Sequence, residues 1–465
     1  MSRVAVVTLG CPKNTVDSES LGGLLASSGH EVSDEVSSAE VVVVNTCGFI
    51  DAARRETIQE VLDLAELKEE GSLKGLVLTG CLVARSAEEL ADALPEVDAF
   101  VDFAAYPRIS SIVTDISAGE LSERIHGDPG TRFDPAWWDQ ALITTQRVRF
   151  GRRPWSYLKI AEGCDRGCTF CAIPLMRGRF SSRVPEVIEN EARALVAQGI
   201  SELSLVSQDS VRWGRDLGDE CLVDLLARLE RIEGLRRIRL MYLHPQGVTA
   251  ELVDAMLSSE VVTPYFDLSL QHVSAGVLRG MGRPGNARRF KALIEVIRER
   301  CPEAGIRSSF IVGFPSEQDE DVLELESFIS EVGLDWIGCF TYSRESGTRS
   351  FDMEDQLPEE AISERFERIT RAAELAMESR AASLVGEELE VLAERYERTE
   401  NVWIGRSHRE APEIDGDIRF EAPTTLAVGD YLDVLVTEAQ GAELVGVAVD
   451  ESRHPLVRTG GRLGA

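Results

Sequence analysis

Apolar, β-branched runs recur at wide intervals through the first 120 residues. Val4 to Leu9, Val41 to Val44 and Leu76 to Leu78 read as strands, and the helix-periodic stretches Asp17 to Ser28 and Asp51 to Lys68 lie between them. The order β, α, β, α, β predicts a doubly wound parallel sheet, whose ligands collect beyond the carboxyl ends of the strands where the strand order reverses. From about 151 to 382 the alternation resumes with Tyr157 to Ile160, Glu202 to Val206, Arg237 to Tyr242, Tyr265 to Leu270, Ser308 to Val312 and Trp336 to Tyr342. Helical patterns such as Pro185 to Gln198 and Leu222 to Arg231 separate these runs. Six such units predict a partial (β/α)6 barrel with its reactive loops at the carboxyl ends of its strands. After Glu387 short strands follow one another directly: Leu389 to Leu392, Val402 to Arg406, Ile418 to Phe420, Tyr431 to Val436 and Leu444 to Val449. They predict a small all-β barrel of the oligonucleotide-binding kind.

The fold class is therefore α/β with an all-β module at the end. The expected division is 1–120, a connector at 121–150, 151–382, 383–450 and a frayed tail at 451–465, in keeping with a 465-residue chain too long for one core. The connector mixes turn formers with Trp137 and Trp138, which read as surface packing and not as a lid.

Charge narrows the range of partners. The chain has 80 acidic against 49 basic residues, a net charge of −31, and residues 383–450 carry 16 acidic and 5 basic side chains. Such a surface repels phosphate backbones and attracts basic proteins, so the terminal module is poorly suited to gripping RNA. Solubility alone is an equal account of the overall charge. No run approaches the 18 or so apolar residues of a membrane helix, and the start, Met1 to Val7, lacks a signal-peptide core, so no membrane and a cytoplasmic location are expected. An odd count of nine cysteines agrees with a reducing compartment.

Three of those cysteines, Cys164, Cys168 and Cys171, fall in C-x3-C-x2-C spacing directly after the first barrel strand. A four-iron cube takes four thiolates. A loop supplying three leaves one iron open to bind and activate a small molecule. Zinc and chance clustering stand as alternatives, although a structural zinc site wants a fourth ligand and no other Cys or His lies close by. Cys11, Cys47 and Cys81 each follow a predicted strand of the first sheet within a few residues, in turns containing Gly or Asn. Free cysteine is often core, but core positions belong inside strands. Beside the Cys164 loop, these three read as ligands of a second cluster. Cys221, Cys301 and Cys339 have no such context and read as structural.

The Cys164 loop resembles the signature of the radical S-adenosylmethionine enzymes. Together with Gly10-Cys11-Pro12-Lys13-Asn14-Thr15-Val16-Asp17-Ser18-Glu19, Asn45-Thr46-Cys47-Gly48-Phe49-Ile50 and Thr79-Gly80-Cys81-Leu82, it resembles the methylthiotransferase family of those enzymes along nearly the whole chain. The resemblance implies two [4Fe-4S] clusters. Cys11, Cys47 and Cys81 would hold an auxiliary one, and Cys164, Cys168 and Cys171 one that binds S-adenosyl-L-methionine; the terminal module resembles the TRAM domain. One cofactor molecule would methylate sulfur on the auxiliary cluster, and a second would be cleaved to a deoxyadenosyl radical that removes hydrogen from the substrate carbon. The polar ends of other barrel strands are where this cofactor is expected, with Gln208, Asp209, Gln271, Gly313, Glu317 and Tyr342 as candidate contacts. His244 and His272 read as loop hydrogen-bonders.

Two branches of the family compete for the substrate. One modifies an adenosine beside the anticodon of transfer RNA, the other an aspartate of ribosomal protein S-twelve of the small subunit. The run Gly405 to Gly416, the Gly10 to Glu19 motif and the acidic module favour the ribosomal-protein branch. A low-potential electron donor such as flavodoxin or ferredoxin is then implied. Ser181, Ser269 and Ser316 depart from the family's common Arg, Pro and Gly, which touches cofactor contacts and not the cysteines. A non-catalytic iron–sulfur factor that docks on ribosomes is the reading from another class.

Overall fold

The computed structural model describes residues 1–127, 146–423 and 425–449. Trp137, Trp138 and the tail 451–465 lie outside the described residues. The first unit is a six-stranded sheet of β1 (Arg3–Thr8), β2 (Glu31–Ser33), β3 (Val41–Thr46), β4 (Gly75–Gly80), β5 (Ala99–Val101) and β6 (Ile125–His126) in the order β2-β1-β3-β4-β5-β6. Every pairing is parallel. Alternate residues serve opposite faces, as strand geometry requires. Val4, Val6, Val43 and Val77 pack under α1 (Pro12–Ser27) and α4 (Ile109–Ala118), while Ala5, Val42, Val44 and Leu78 pack under α2 (Asp51–Glu69) and α3 (Cys81–Ala93). The strand order reverses between β1 and β3.

Three strands in this unit go beyond the hydropathy reading. Strands β2, β5 and β6 are two or three residues long, too short for a period-two pattern to register. Strand β6 belongs to the stretch read as connector. Further along that stretch, Arg147 is buried and ion-paired with Glu19 of α1 and with Glu191.

The second unit is built on β7 (Trp155–Lys159), a two-residue hairpin pair β8 (Ala161–Glu162) and β9 (Ser181–Ser182), then β10 (Glu202–Val206), β11 (Arg237–Leu240), β12 (Tyr265–Gln271), β13 (Gly305–Val312) and β14 (Trp336–Thr341). The parallel runs β7-β10-β11 and β12-β13-β14 are joined by bridges Ile238–Val262 and Leu243–Leu268, which makes the expected partial barrel. The third unit, β15 (Glu388–Glu397), β16 (Val402–Arg406), β17 (Ile418–Glu421), β18 (Tyr431–Gln440) and β19 (Glu443–Ala448), is a closed barrel around Val391, Phe420 and Val434.

The Gly405–Gly416 run docks this module onto the larger barrel. Arg406 reaches Glu202 at 3.0 Å and Arg409 reaches Asp335 at 2.9 Å; Tyr265 Oη donates to Asp415 at 2.6 Å and Tyr157 Oη to the Pro412 carbonyl at 2.7 Å. Glu202 and Tyr265 open their strands, and Asp335 immediately precedes β14. The module therefore closes the amino end of the barrel and leaves the carboxyl end to the cysteine loop. No helix among the described residues is long and apolar enough to cross a membrane.

Candidate active site

Strands β1, β3 and β4 are neighbours and point the same way, so their carboxyl ends deliver Cys11, Cys47 and Cys81 to one edge. Glycine makes the approach feasible. Gly10 has φ +98°, and a Cβ there would stand 2.6 Å from that of Cys47; Gly80 has φ +94° and lies against the Thr46 backbone. Asn14, in the first turn of α1, organises the edge. Its amide donates to the carbonyls of Leu9 (2.7 Å) and Thr46 (3.2 Å), while its Oδ1 lies 3.9 Å from Cys11 Sγ and 4.0 Å from Cys81 Sγ. Burial pushes the Cys81 thiol up to about 12 and also raises Cys47. Burial works the same way on Cys11, but Lys13 and Arg177 outweigh it and draw that thiol below its ordinary value. Metal ligation needs the thiolates, so assembly must release protons here.

The second trio sits in a loop held inside the β8–β9 hairpin. Gly163 (φ +72°) and Gly167 (φ +66°) turn it, and a side chain on Gly163 would press into the Arg179 carbonyl. Cys164 N–H donates to the Gly178 carbonyl (3.2 Å), and Thr169 bonds the carbonyls of Met281 (2.9 Å) and Gly280 (2.8 Å). Arg283 stands 3.4 Å from Cys168 Sγ. Burial pushes Cys171 up to about 12, with Cys168 and Cys164 adding to the effect, and it raises Cys164 as well. Among the described residues no three Cys, His, Asp or Glu side chains stand close enough to hold a single metal ion. A cube of several atoms spreads its thiolates more widely than one ion does.

A buried ionic bridge joins the two edges. Arg177, six residues past Cys171, donates through Nε to Cys81 Sγ (3.2 Å), through one terminal nitrogen to Asn14 Oδ1 (2.6 Å) and Asp17 (2.9 Å), and through the other to Glu162 (3.0 Å). Lys159 pairs with both Asp17 and Glu162, and Gln208 donates to Glu162 at 2.8 Å. Burial disfavours the Glu162 carboxylate, yet Arg177 and Lys159 bring it down to about 2. Neither Arg177 nor this network stood out in the sequence; the available signal was one arginine in an otherwise apolar turn, Ile173-Pro174-Leu175-Met176-Arg177.

The proposed cofactor contacts fall into two groups. Gln208 and Asp209 follow β10 beside the cysteine loop, where Asp209 pairs with Arg166. Gln208 Oε1 and Asp209 Oδ1 are buried acceptors without a hydrogen-bond partner, and burial raises the Asp209 carboxyl. Gln271 ends β12 in a left-handed conformation at φ +72°. The others turn inward: Glu317 accepts from Gly313 N–H (3.0 Å) and Arg365 (2.9 Å), and Tyr342 Oη donates to Ser350 at 2.9 Å. These three brace the ends of β13 and β14. His244 and His272 accept backbone N–H bonds from Gln246 and Ser274. Cys221 caps a helix beside Asp224, Cys301 is buried, and Cys339 is part-buried within β14.

Family models match three stretches: Uncharacterized protein family UPF0004 over residues 3–102, Radical SAM superfamily over 158–329 and TRAM domain over 385–449. A Kineococcus radiotolerans protein named ribosomal protein uS12 methylthiotransferase RimO is 42% identical across 98% of this chain and 97% of its own length. A Streptomyces coelicolor protein of the same name is 40% identical across 95% and 96%. The chain belongs to the radical SAM methylthiotransferases. As a member of that family it is an enzyme of iron–sulfur and S-adenosylmethionine chemistry. The radical S-adenosylmethionine methyltransferase TsrM from Kitasatospora setae shares the fold at 17% identity, with TM-score 0.54 over 75% of this chain and 77% of that one. The methylthiotransferase site fits its cofactors on its own chemistry. S-adenosylmethionine brings an ammonium and ribose hydroxyls, donors that suit the orphan acceptors of Gln208 and Asp209.

Proposed function

We propose that the enzyme methylthiolates the β-carbon of an aspartate in ribosomal protein uS12, with one [4Fe-4S] cluster on Cys11, Cys47 and Cys81 and a second on Cys164, Cys168 and Cys171. The observation that carries this reading is the meeting of the two cysteine edges across one buried bridge, Arg177–Glu162–Lys159–Asp17. When bound, the cofactors supply hydrogen-atom abstraction from an unactivated carbon and a methylthio group, chemistry beyond any side-chain base. The chain's own residues hold the two sites in one frame. Arg177 and Lys13 supply positive charge beside the first thiol trio, Lys159 holds Asp17 and Glu162, and the Asp209–Arg166 pair together with Gln208 lines the cofactor side.

The name carried by the relatives favours the ribosomal protein as substrate, and so does charge. Arg406 and Arg409 are consumed by Glu202 and Asp335, so the basic residues of the Gly405–Gly416 run do not offset the acidic module surface. That surface suits a basic protein better than RNA.

The test uses anaerobically reconstituted enzyme with reductant, S-adenosylmethionine and either uS12 or transfer RNA. Deoxyadenosine should form, and a methylthio mass gain should appear on one aspartate of uS12. Mass gain on transfer RNA alone would move the substrate to the other branch. An absence of deoxyadenosine would return the chain to the non-catalytic reading.

A further inference from the structure

Nine lysine and arginine side chains among the described residues are buried: Lys13, Arg147, Lys159, Arg177, Arg183, Arg237, Arg239, Arg406 and Arg409. Eight of them have a carboxylate partner in an ion pair. Lys13 has none. Its ammonium lies 3.5 Å above the centre of the Tyr242 ring, and the residue is 7% exposed. Tyr242 and the Cys11 thiol two residues away favour its charged form, but burying an ammonium with no carboxylate beside it is costly, and a ring face offsets only part of that cost. Nearby carboxylates are already engaged, Asp17 by Lys159 and Arg177 and Asp267 by Arg307.

The position of Lys13 suggests what it awaits. It is two residues past Cys11 at the start of α1, and it reaches across to the barrel. Tyr242 follows β11 in a left-handed conformation (φ +59°), with its N–H on Asp267 (2.8 Å) and its carbonyl on Ser210 N–H (3.2 Å). Strain of this kind in a non-glycine residue is retained where the surroundings over-determine it, commonly at ligand sites. Ser210 follows Asp209, whose partner Arg166 lies inside the Cys164 loop. Lys13 and Tyr242 thus link the Cys11 edge to the strand ends that neighbour the Cys164 loop. Cys11 and Tyr242 are only partly buried, so solvent reaches this link.

We propose that Lys13 is the substrate's carboxylate anchor: its ammonium takes the side-chain carboxylate of the aspartate, setting the adjacent β-carbon between the two cysteine edges and making the enzyme selective for aspartate over asparagine. This rests on the substrate reading above. Removing one partner of a buried charge pair is expensive, whereas an amide in place of the carboxylate removes the attraction but keeps the shape.

The experiment measures binding of uS12 to reconstituted holoenzyme without reductant, using uS12 with its target aspartate and the Asp→Asn form. Wild-type enzyme should prefer the aspartate form by about tenfold or more. Lys13→Met should lower aspartate binding to the asparagine level without changing asparagine binding, and Lys13→Arg should keep part of the preference. Iron content and the auxiliary-cluster spectrum are followed in each variant. The anchor is overturned if Lys13→Met keeps the aspartate preference, if it weakens both forms equally, or if it changes the auxiliary-cluster spectrum with the preference intact, which would make Lys13 a counter-charge for the cluster. Wild-type enzyme that cleaves S-adenosylmethionine but binds neither form would overturn the substrate reading and the anchor with it. Methylthiolation of uS12 together with an unchanged preference in Lys13→Met would overturn the anchor alone.

Discussion

Arg177 donates to a thiol, an amide and two carboxylates drawn from both of the larger units, and among the described residues no other side chain combines those roles. Its loss would leave Asp17 and Glu162 sharing one lysine in a buried site. Removal of one partner from such a buried network costs about 3–5 kcal/mol. Arg177→Met should therefore lower the denaturation midpoint of the metal-free protein sharply, with Arg177→Lys intermediate, as followed by circular dichroism in urea. The cysteines sort in the same way. Cys11→Ala, Cys47→Ala or Cys81→Ala should each remove about four irons per chain from the reconstituted protein. Cys221→Ala, Cys301→Ala and Cys339→Ala should leave the iron count unchanged in a colorimetric assay.

The cysteine loop works as an element because its backbone is braced from three directions: the β8–β9 hairpin, the Gly280–Met281 carbonyls and Ser350, whose N–H donates to the Thr169 carbonyl at 2.9 Å. Gly163 is the tightest point. An alanine there would meet both a left-handed φ and the Arg179 carbonyl. Gly163→Ala should therefore lose deoxyadenosine formation and about half the iron. The spectrum of the auxiliary cluster should persist, because Cys11, Cys47 and Cys81 lie on a different sheet. Across the boundary, Glu345 in the loop after β14 holds Arg54 of α2 and Arg85 of α3, a second clamp between the same two units.

For the whole molecule, the seam between the two barrels contributes to the response to acid, alongside Glu162 at the other boundary. Burial alone would raise the Glu202 carboxyl, but Arg406, Arg239 and Arg237 more than reverse it and bring it down to about 2. Its unfolded value is about 4.3. The carboxylate therefore contributes stability that is fully present above that value and is lost as pH falls toward 2, by up to about 3 kcal/mol. Unfolding of metal-free protein followed from pH 5 to pH 2.5 should show a steeper loss in wild type than in Glu202→Gln. The variant should already be the less stable of the two at pH 5, because three arginines then surround a neutral amide.

The order of elements was legible in the sequence because the longer strands of the two parallel units are mainly apolar runs between helix-periodic stretches, and burial leaves that pattern little freedom. Cys164, Cys168 and Cys171 stood out by their short spacing, and Cys11, Cys47 and Cys81 by standing just past strands that the structure sets side by side. Short strands such as β2, β5 and β6 left no pattern, being two or three residues long. Glu317 and Tyr342 lie just past strand ends, where the tertiary structure gives Glu317 Oε1 to Gly313 and Arg365, leaves Glu317 Oε2 without a hydrogen-bond partner, and sets Tyr342 on Ser350. The Gly405–Gly416 run was legible as a motif and not as a seam. Arg177, Asn14, Lys13 and Tyr242 acquire their meaning only when strand ends far apart in the chain are brought together. A charged residue's role depends on which opposite charges surround it, and that is decided by the packing of one unit on another.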